Sequence, residues 1–315
     1  MDGDGGNAVE TQRNSGGTSA DEFGFELDLP SLLVRLDEGS AAARREAVAQ
    51  IRETIDAGGR PERCLPTVPK LRALLEESEM ESESQSESES ESESESESEF
   101  EAESDPDIEL HEEVAYCLAE LASESPADVA PSVDAIAGFV ASHGSHPATP
   151  DLLRCLAAVA TERPAAVDPN DCLKAIAVGL EHGQSDVRAD AAVTLAALAR
   201  DSRSGERDDG DDASGSNGPG AERDEVGHEA DRSTLLDLEA IPADRLLALL
   251  EDDDPRVRRN VCRVLGYGGV GTGAGAGAGV GVGVDTASDR LSSLANEDSV
   301  PAVREQAEWA VDRLS

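Results

Sequence analysis

The chain is poor in aromatic residues, nearly devoid of lysine and without a hydrophobic run suited to a membrane. Aromatics make up 2% of its 315 residues, with a single tryptophan. That excludes a compact core built on large rings and leaves alanine, valine and leucine, which suit closely packed helices. The longest uncharged run, Val264 to Val284, is about half glycine and makes a poor membrane span. The first residues, MDGDGGNAVETQRNSGG, hold no apolar core of a signal peptide. The five cysteines, Cys64, Cys117, Cys155, Cys172 and Cys262, include no C-x-x-C pair and read as reduced core thiols. A soluble, cytoplasmic protein is expected.

Positive charge is also scarce. The net charge is −42. The Ser/Glu tract at 78–106, the polar stretch at 202–234 and residues 1–26 account for part of it, but the remaining body still carries about −18. At ordinary ionic strength such repulsion opposes compaction, and in molar salt the Debye length falls to about 3 Å and removes most of it. An acidic surface disfavours nucleic acid and anionic membranes, both of which call for lysine and arginine clusters. Acid excess, with only Lys70 and Lys174 against 24 arginines, resembles proteins of the haloarchaeal cytoplasm and implies a high-salt setting.

What is present is a repeating unit. In LLALLEDDDPRVRRNVCRVLGYG (246–268), Asp254 is placed to cap a helix opened by Pro255, and Val257, Val261 and Leu265 form one apolar stripe. Equivalent stripes are Ala43, Ala47, Ile51; Leu110, Val114, Leu118; Leu152, Leu156, Ala160; Val187, Ala191, Leu195; and Val303, Ala307, Val311. Each follows a shorter apolar segment, often opened by proline, and the stripes recur every 35 to 42 residues or so once polar inserts are discounted. Arginine follows the first stripe position in four copies, as Arg44, Arg188, Arg258 and Arg304, and six residues before three of them stands an acid, Glu38, Asp252 or Asp298. A two-helix unit of this length predicts an all-α solenoid of about six hairpins.

The pattern D-x-D-P-x-V-R with a small apolar stripe, clearest in DDDPRVRRNVCRVL (252–265), resembles the HEAT-repeat family and its short phycobilisome-lyase-type units. The resemblance implies a scaffold that binds a protein along its stacked second helices. It also implies acid–arginine rungs, with Asp252–Arg258 and Asp298–Arg304 as candidates. Arg44, Arg45, Arg188, Arg258, Arg259 and Arg304 are the expected stack or partner contacts. The alternative from the same family is an enzyme, or enzyme accessory, of the lyase or iron-hydroxylase kind. Such hydroxylases use four His-Glu pairs, whereas this chain has His111-Glu112 and His228-Glu229. His143 and His146 lie in a loop segment without a nearby third ligand. No catalytic, metal or cofactor residue is therefore assigned. A basic groove of the DNA-glycosylase kind would need Arg44, Arg45, Arg258, Arg259 and Arg263 on one face, which their spacing opposes.

The expected organisation is a disordered N-terminus (1–26), the first unit with half of the second (27–77), the Ser/Glu insert (78–106), and the rest of unit two with units three and four (107–201). An acidic linker (202–234), unit five (235–267), a glycine-rich linker (268–285) and unit six (286–315) follow. The acidic linker leaves the last two units room to move as a separate lobe. Gly266, Gly268 and Gly271 spell G-x-G-x-x-G, but they follow a helix rather than a strand and do not make a dinucleotide fingerprint.

Overall fold

Leucine, alanine and valine at helical spacing fold here into paired helices. A computed structural model of the chain describes residues 27–58, 60–85, 106–205, 241–268 and 284–315. Among these there is no strand. The helices are α1 (Leu29–Glu38), α2 (Ala41–Asp56), α3 (Val68–Gln85), α4 (Pro106–Glu124), the single turn α5 (Pro126–Val129), α6 (Val133–Ser142) and α7 (Thr149–Glu162). They continue as α8 (Pro169–Leu180), α9 (Ser185–Gly205), α10 (Ala243–Leu249), α11 (Pro255–Gly268), α12 (Val284–Glu297) and α13 (Pro301–Leu314).

Local chemistry sets the helix starts. Ser40 accepts the Ala43 N–H and Asp168 the Asn170 N–H, while Asp254 takes the Arg256 N–H at 2.8 Å with Pro255 next in line. The hairpins are α1–α2, α3–α4, α6–α7, α8–α9, α10–α11 and α12–α13. Their second helices stack in one unbroken row, α2 on α4, α7, α9, α11 and α13 in turn. In the outer row α1 packs on α3, α3 on α6 and α6 on α8. Every stripe position except Ala43 and Val311 is buried. Phe139 is the one phenylalanine, tyrosine or tryptophan in the buried core of the described residues.

Two findings differ from the expectation. Helix α3 continues to Gln85, into the Ser/Glu tract, because glutamate propagates a helix already nucleated by Leu71, Leu74 and Leu75. Residues 86–105 lie outside the described residues. The polar stretch after α9 does not part the described units on either side of it. Helix α9 packs along α11, Arg203 donates to the carbonyls of Gly266 and Tyr267 at 2.9 and 3.2 Å, and Arg245 reaches the Leu180 carbonyl at 2.6 Å.

All five cysteines are free and buried. Burial raises the pKa of each, to about 12 for Cys155, Cys172 and Cys262. None is a thiolate nucleophile at neutral pH.

Candidate binding face and arginine ladder

The arginine after the first stripe position enters a ladder, but in a different register from the one expected. Arg188 holds Asp252 of the next unit through two bonds, Nε to Oδ2 at 2.7 Å and Nη2 to Oδ1 at 3.0 Å. Arg258 holds Asp298 in the same way at 2.8 and 3.0 Å. Asp252–Arg258 and Asp298–Arg304 are therefore not carboxylate pairs. Within a unit the arginine instead donates to main-chain carbonyls: Arg258 to Asp252 and Asp253, Arg304 to Asp298, and Arg188 to His182 and Gly183. The physical reason lies in the turn before the second helix. Its aspartate carboxylate also accepts the N–H two residues on, Asp252 from Asp254 at 2.9 Å and Asp298 from Val300 at 2.8 Å. Each carboxylate thus closes its own turn through Oδ1 and presents both oxygens to the arginine of the preceding unit.

The rungs are sheltered. The Asp252 and Asp298 side chains are 6% and 3% exposed. Burial opposes ionisation of Asp252, yet its bonds from Arg188 and the Asp254 N–H outweigh that and hold its pKa below the carboxylate range. Hydrogen bonding from Arg258 does the same for Asp298. Arg44 pairs with Glu77 at the far end of the stack, and Arg154 on α7 reaches back to Glu120 on α4 at 2.8 Å. Arg45 is partly buried on α2 and enters no ion pair among the described residues. The side chain of Glu38 lies outside the described residues.

Arg259, one residue past a rung arginine, faces elsewhere. It lines a groove of about 380 Å³ that crosses the second-helix row. Thr161 comes from α7, Ala196, Ala197 and Arg200 from α9, Arg259, Arg263 and Tyr267 from α11, and Ala302, Glu305, Gln306 and Trp309 from α13. Arg263 donates to two neutral partners, Gln306 at 3.1 Å and Asn260 at 3.3 Å. Burial lowers its pKa, and the neighbouring positive charges of Arg259 and Arg200 add to the effect. Arg259 has no carboxylate partner among the described residues, and Arg200 donates to the Thr161 carbonyl at 3.3 Å.

Aromatic surface meets this charge at one end of the groove. The Tyr267 and Trp309 rings stack edge to face, centroids 4.9 Å apart, with the Arg313 guanidinium 4.7 Å from the indole centroid. Gly266 permits the packing, since a Cβ there would stand 2.3 Å from the indole ring. The first glycine of the G-x-G-x-x-G string is thus a contact for Trp309. Gly268 ends α11, and Gly271 lies outside the described residues.

The sequence reading missed Arg200, Tyr267, Gln306 and Trp309. Its one available signal was that the sole tryptophan and one of two tyrosines both fall on second helices of the last units.

The histidines also assemble differently from the expectation. His111, 9% exposed, stands 5.6 Å from His146, ring centre to ring centre, and His111, His143 and His146 all pack on Phe139. His146 Nδ1 accepts the Ala148 N–H at 3.0 Å. Burial lowers its pKa, with His111 and His143 contributing. Among the described residues no group of three His, Cys, Asp or Glu side chains could hold a metal ion. His228-Glu229 lies outside them. No helix among them is long and apolar enough to cross a membrane.

Solved structures share this arrangement. A designed armadillo repeat protein in complex with the peptide (KR)4 aligns over 91% of this chain and all of its own, at TM-score 0.55 and 14% identity. Another computationally designed armadillo repeat protein, for modular peptide recognition, covers the same shares at TM-score 0.52 and 14% identity. The fold is a helical repeat solenoid. An archaeal HEAT-like repeat protein from Thermococcus onnurineus NA1 aligns more loosely, at TM-score 0.40 and 15% identity. No protein-family model and no curated protein matches the chain.

Proposed function

We propose that the protein is a non-catalytic scaffold that binds a partner protein along its row of second helices, in a cytoplasm of high salt. The observation that carries this reading is the groove across α7, α9, α11 and α13, where arginine, tyrosine and tryptophan side chains converge on a rigidly stacked face. A groove of this size takes a few side chains of an extended segment, and designed relatives of the fold that are described as binding peptides support that use. The charge of the body supports the high-salt setting, as does the shortage of lysine. The ladder arginines Arg44, Arg188 and Arg258 then hold units together, Arg304 braces the turn of its own unit, and Arg259 is left to meet the partner.

The test is affinity capture of the tagged full chain from its native cytoplasm in molar KCl. A stoichiometric partner should be captured and should be lost when Ala302, an exposed residue of the groove, is changed to Phe and fills it. Capture of nothing, or of the same partner by Ala302→Phe at equal yield, overturns the reading.

A further inference from the structure

The groove is the reverse of its surroundings in charge. In a chain of net charge −42, Arg200, Arg259 and Arg263 converge on one side of it, with Glu305 as the single carboxylate lining it. On the same helices Arg188, Arg256 and Arg258 meet acids, and Arg203 and Arg304 donate to main-chain carbonyls. Among the described residues Arg263 instead hydrogen-bonds only neutral Gln306 and Asn260. A partly buried guanidinium without a counter-ion gains most from an arriving anion, through charge-assisted bonds at little further desolvation. Beside it stands the sole tryptophan, its ring fixed by Tyr267, Arg313 and the close approach of Gly266. A fixed indole is a ready platform for an apolar side chain.

We propose that this groove is a recognition site for an acidic peptide segment of another protein, its carboxylates on Arg259 and Arg263 and an aromatic or aliphatic side chain against Trp309. The proposal rests on the scaffold reading and names the chemistry of the partner. A basic peptide adds like charge beside Arg259 and Arg263, which have no carboxylate partner among the described residues. A nucleic acid strand needs a path of cations along its phosphates, whereas these arginines end at Glu305 and at the acidic body. Two or three carboxylates suffice to neutralise the groove.

Trp309 makes the site self-reporting, because the full chain has no other tryptophan. The probe is a labelled peptide of alternating glutamate and serine with one central phenylalanine, titrated against the full chain and followed by anisotropy and by tryptophan emission. Saturable binding with a change in Trp309 emission is expected. Arg259→Glu, at an exposed position, should weaken it about tenfold or more, the loss of a charged hydrogen bond. Arg263→Gln should weaken it too, and circular dichroism should show both variants folded. Equal or tighter binding of the matching lysine peptide or of a single-stranded oligonucleotide overturns the proposal. So does acidic-peptide binding indifferent to Arg259→Glu, or no binding at all. If affinity capture yields a partner sensitive to Ala302→Phe while the acidic peptide fails, the scaffold reading stands and this assignment falls.

Discussion

The Arg258–Asp298 rung offers the sharpest test of how the units are joined. Its carboxylate is 3% exposed and its guanidinium side chain 12%. Replacing Arg258 with alanine leaves Asp298 only the Val300 N–H, and an unpaired buried charge costs about 3–5 kcal/mol. Replacing Asp298 with alanine is milder, because Arg258 keeps the Asp252 and Asp253 carbonyls. The price is then about 1–3 kcal/mol for the stranded donors. The double variant should cost much less than the sum, with a coupling of about 2 kcal/mol or more. The control is Arg256–Asp186, whose side chains are 58% and 79% exposed. Its cycle should give under about 1 kcal/mol. Urea unfolding in constant KCl, followed by circular dichroism and by Trp309 emission from the last hairpin, measures both cycles. A rung coupling no larger than that of the exposed pair would refute the claim that shelter makes these bonds structural.

Other outcomes follow from the same geometry. Gly266→Ala should lower stability by about 1–3 kcal/mol through overpacking against Trp309, although glycine to alanine in an open helix gains about 1 kcal/mol. A gain in urea midpoint would contradict the packing. Because the folded pKa of His146 is depressed, stability should be full above about pH 6.5, the unfolded value, and decline as pH falls below it. His146→Gln should flatten that part of a melting-temperature profile. Asp190 has the opposite sign, its pKa raised to about 6 by burial, so its contribution fades as pH rises from the unfolded value of about 3.9 through 6. Asp190→Asn should stabilise the chain at pH 7.5 by about 1 kcal/mol, after discounting for solvent at a half-buried site, by less at pH 5, and leave it unchanged near pH 3.

The stripes were legible because a period near 3.6 reports which side of a helix is buried, whatever it is buried against. That is why Val257, Val261 and Leu265 could be assigned to the core from sequence alone. The ladder was half legible. The spacing of Asp298 to Arg304 is visible in the chain, but which arginine a carboxylate meets depends on how one hairpin sits on the next. The groove was not legible. Arg200, Arg263 and Trp309 belong to three helices separated by long stretches of chain, and only stacking brings them together. The missing arginine after the stripe in units two and three also had a spatial answer: Arg154, two residues past Leu152, reaches back to Glu120.

Salt should separate the two roles of charge in this molecule. The body carries about −18 even without its most acidic stretches, and like charges within a Debye length of one another at about 0.1 M salt repel. Raising KCl toward 2 M should therefore raise the melting temperature steadily, by relief of repulsion. The rungs are sheltered from ions, so Arg258→Ala should melt lower than the unaltered chain by a similar margin at every KCl concentration. The groove is open, so affinity for an acidic peptide should fall with salt while stability climbs. Scanning calorimetry across a KCl series, paired with Trp309 emission titrations in the same buffers, measures both trends. A deficit for Arg258→Ala that vanished in molar KCl would mean that the rungs are ordinary surface pairs. Stability that fell as salt rose would remove the case for a high-salt cytoplasm.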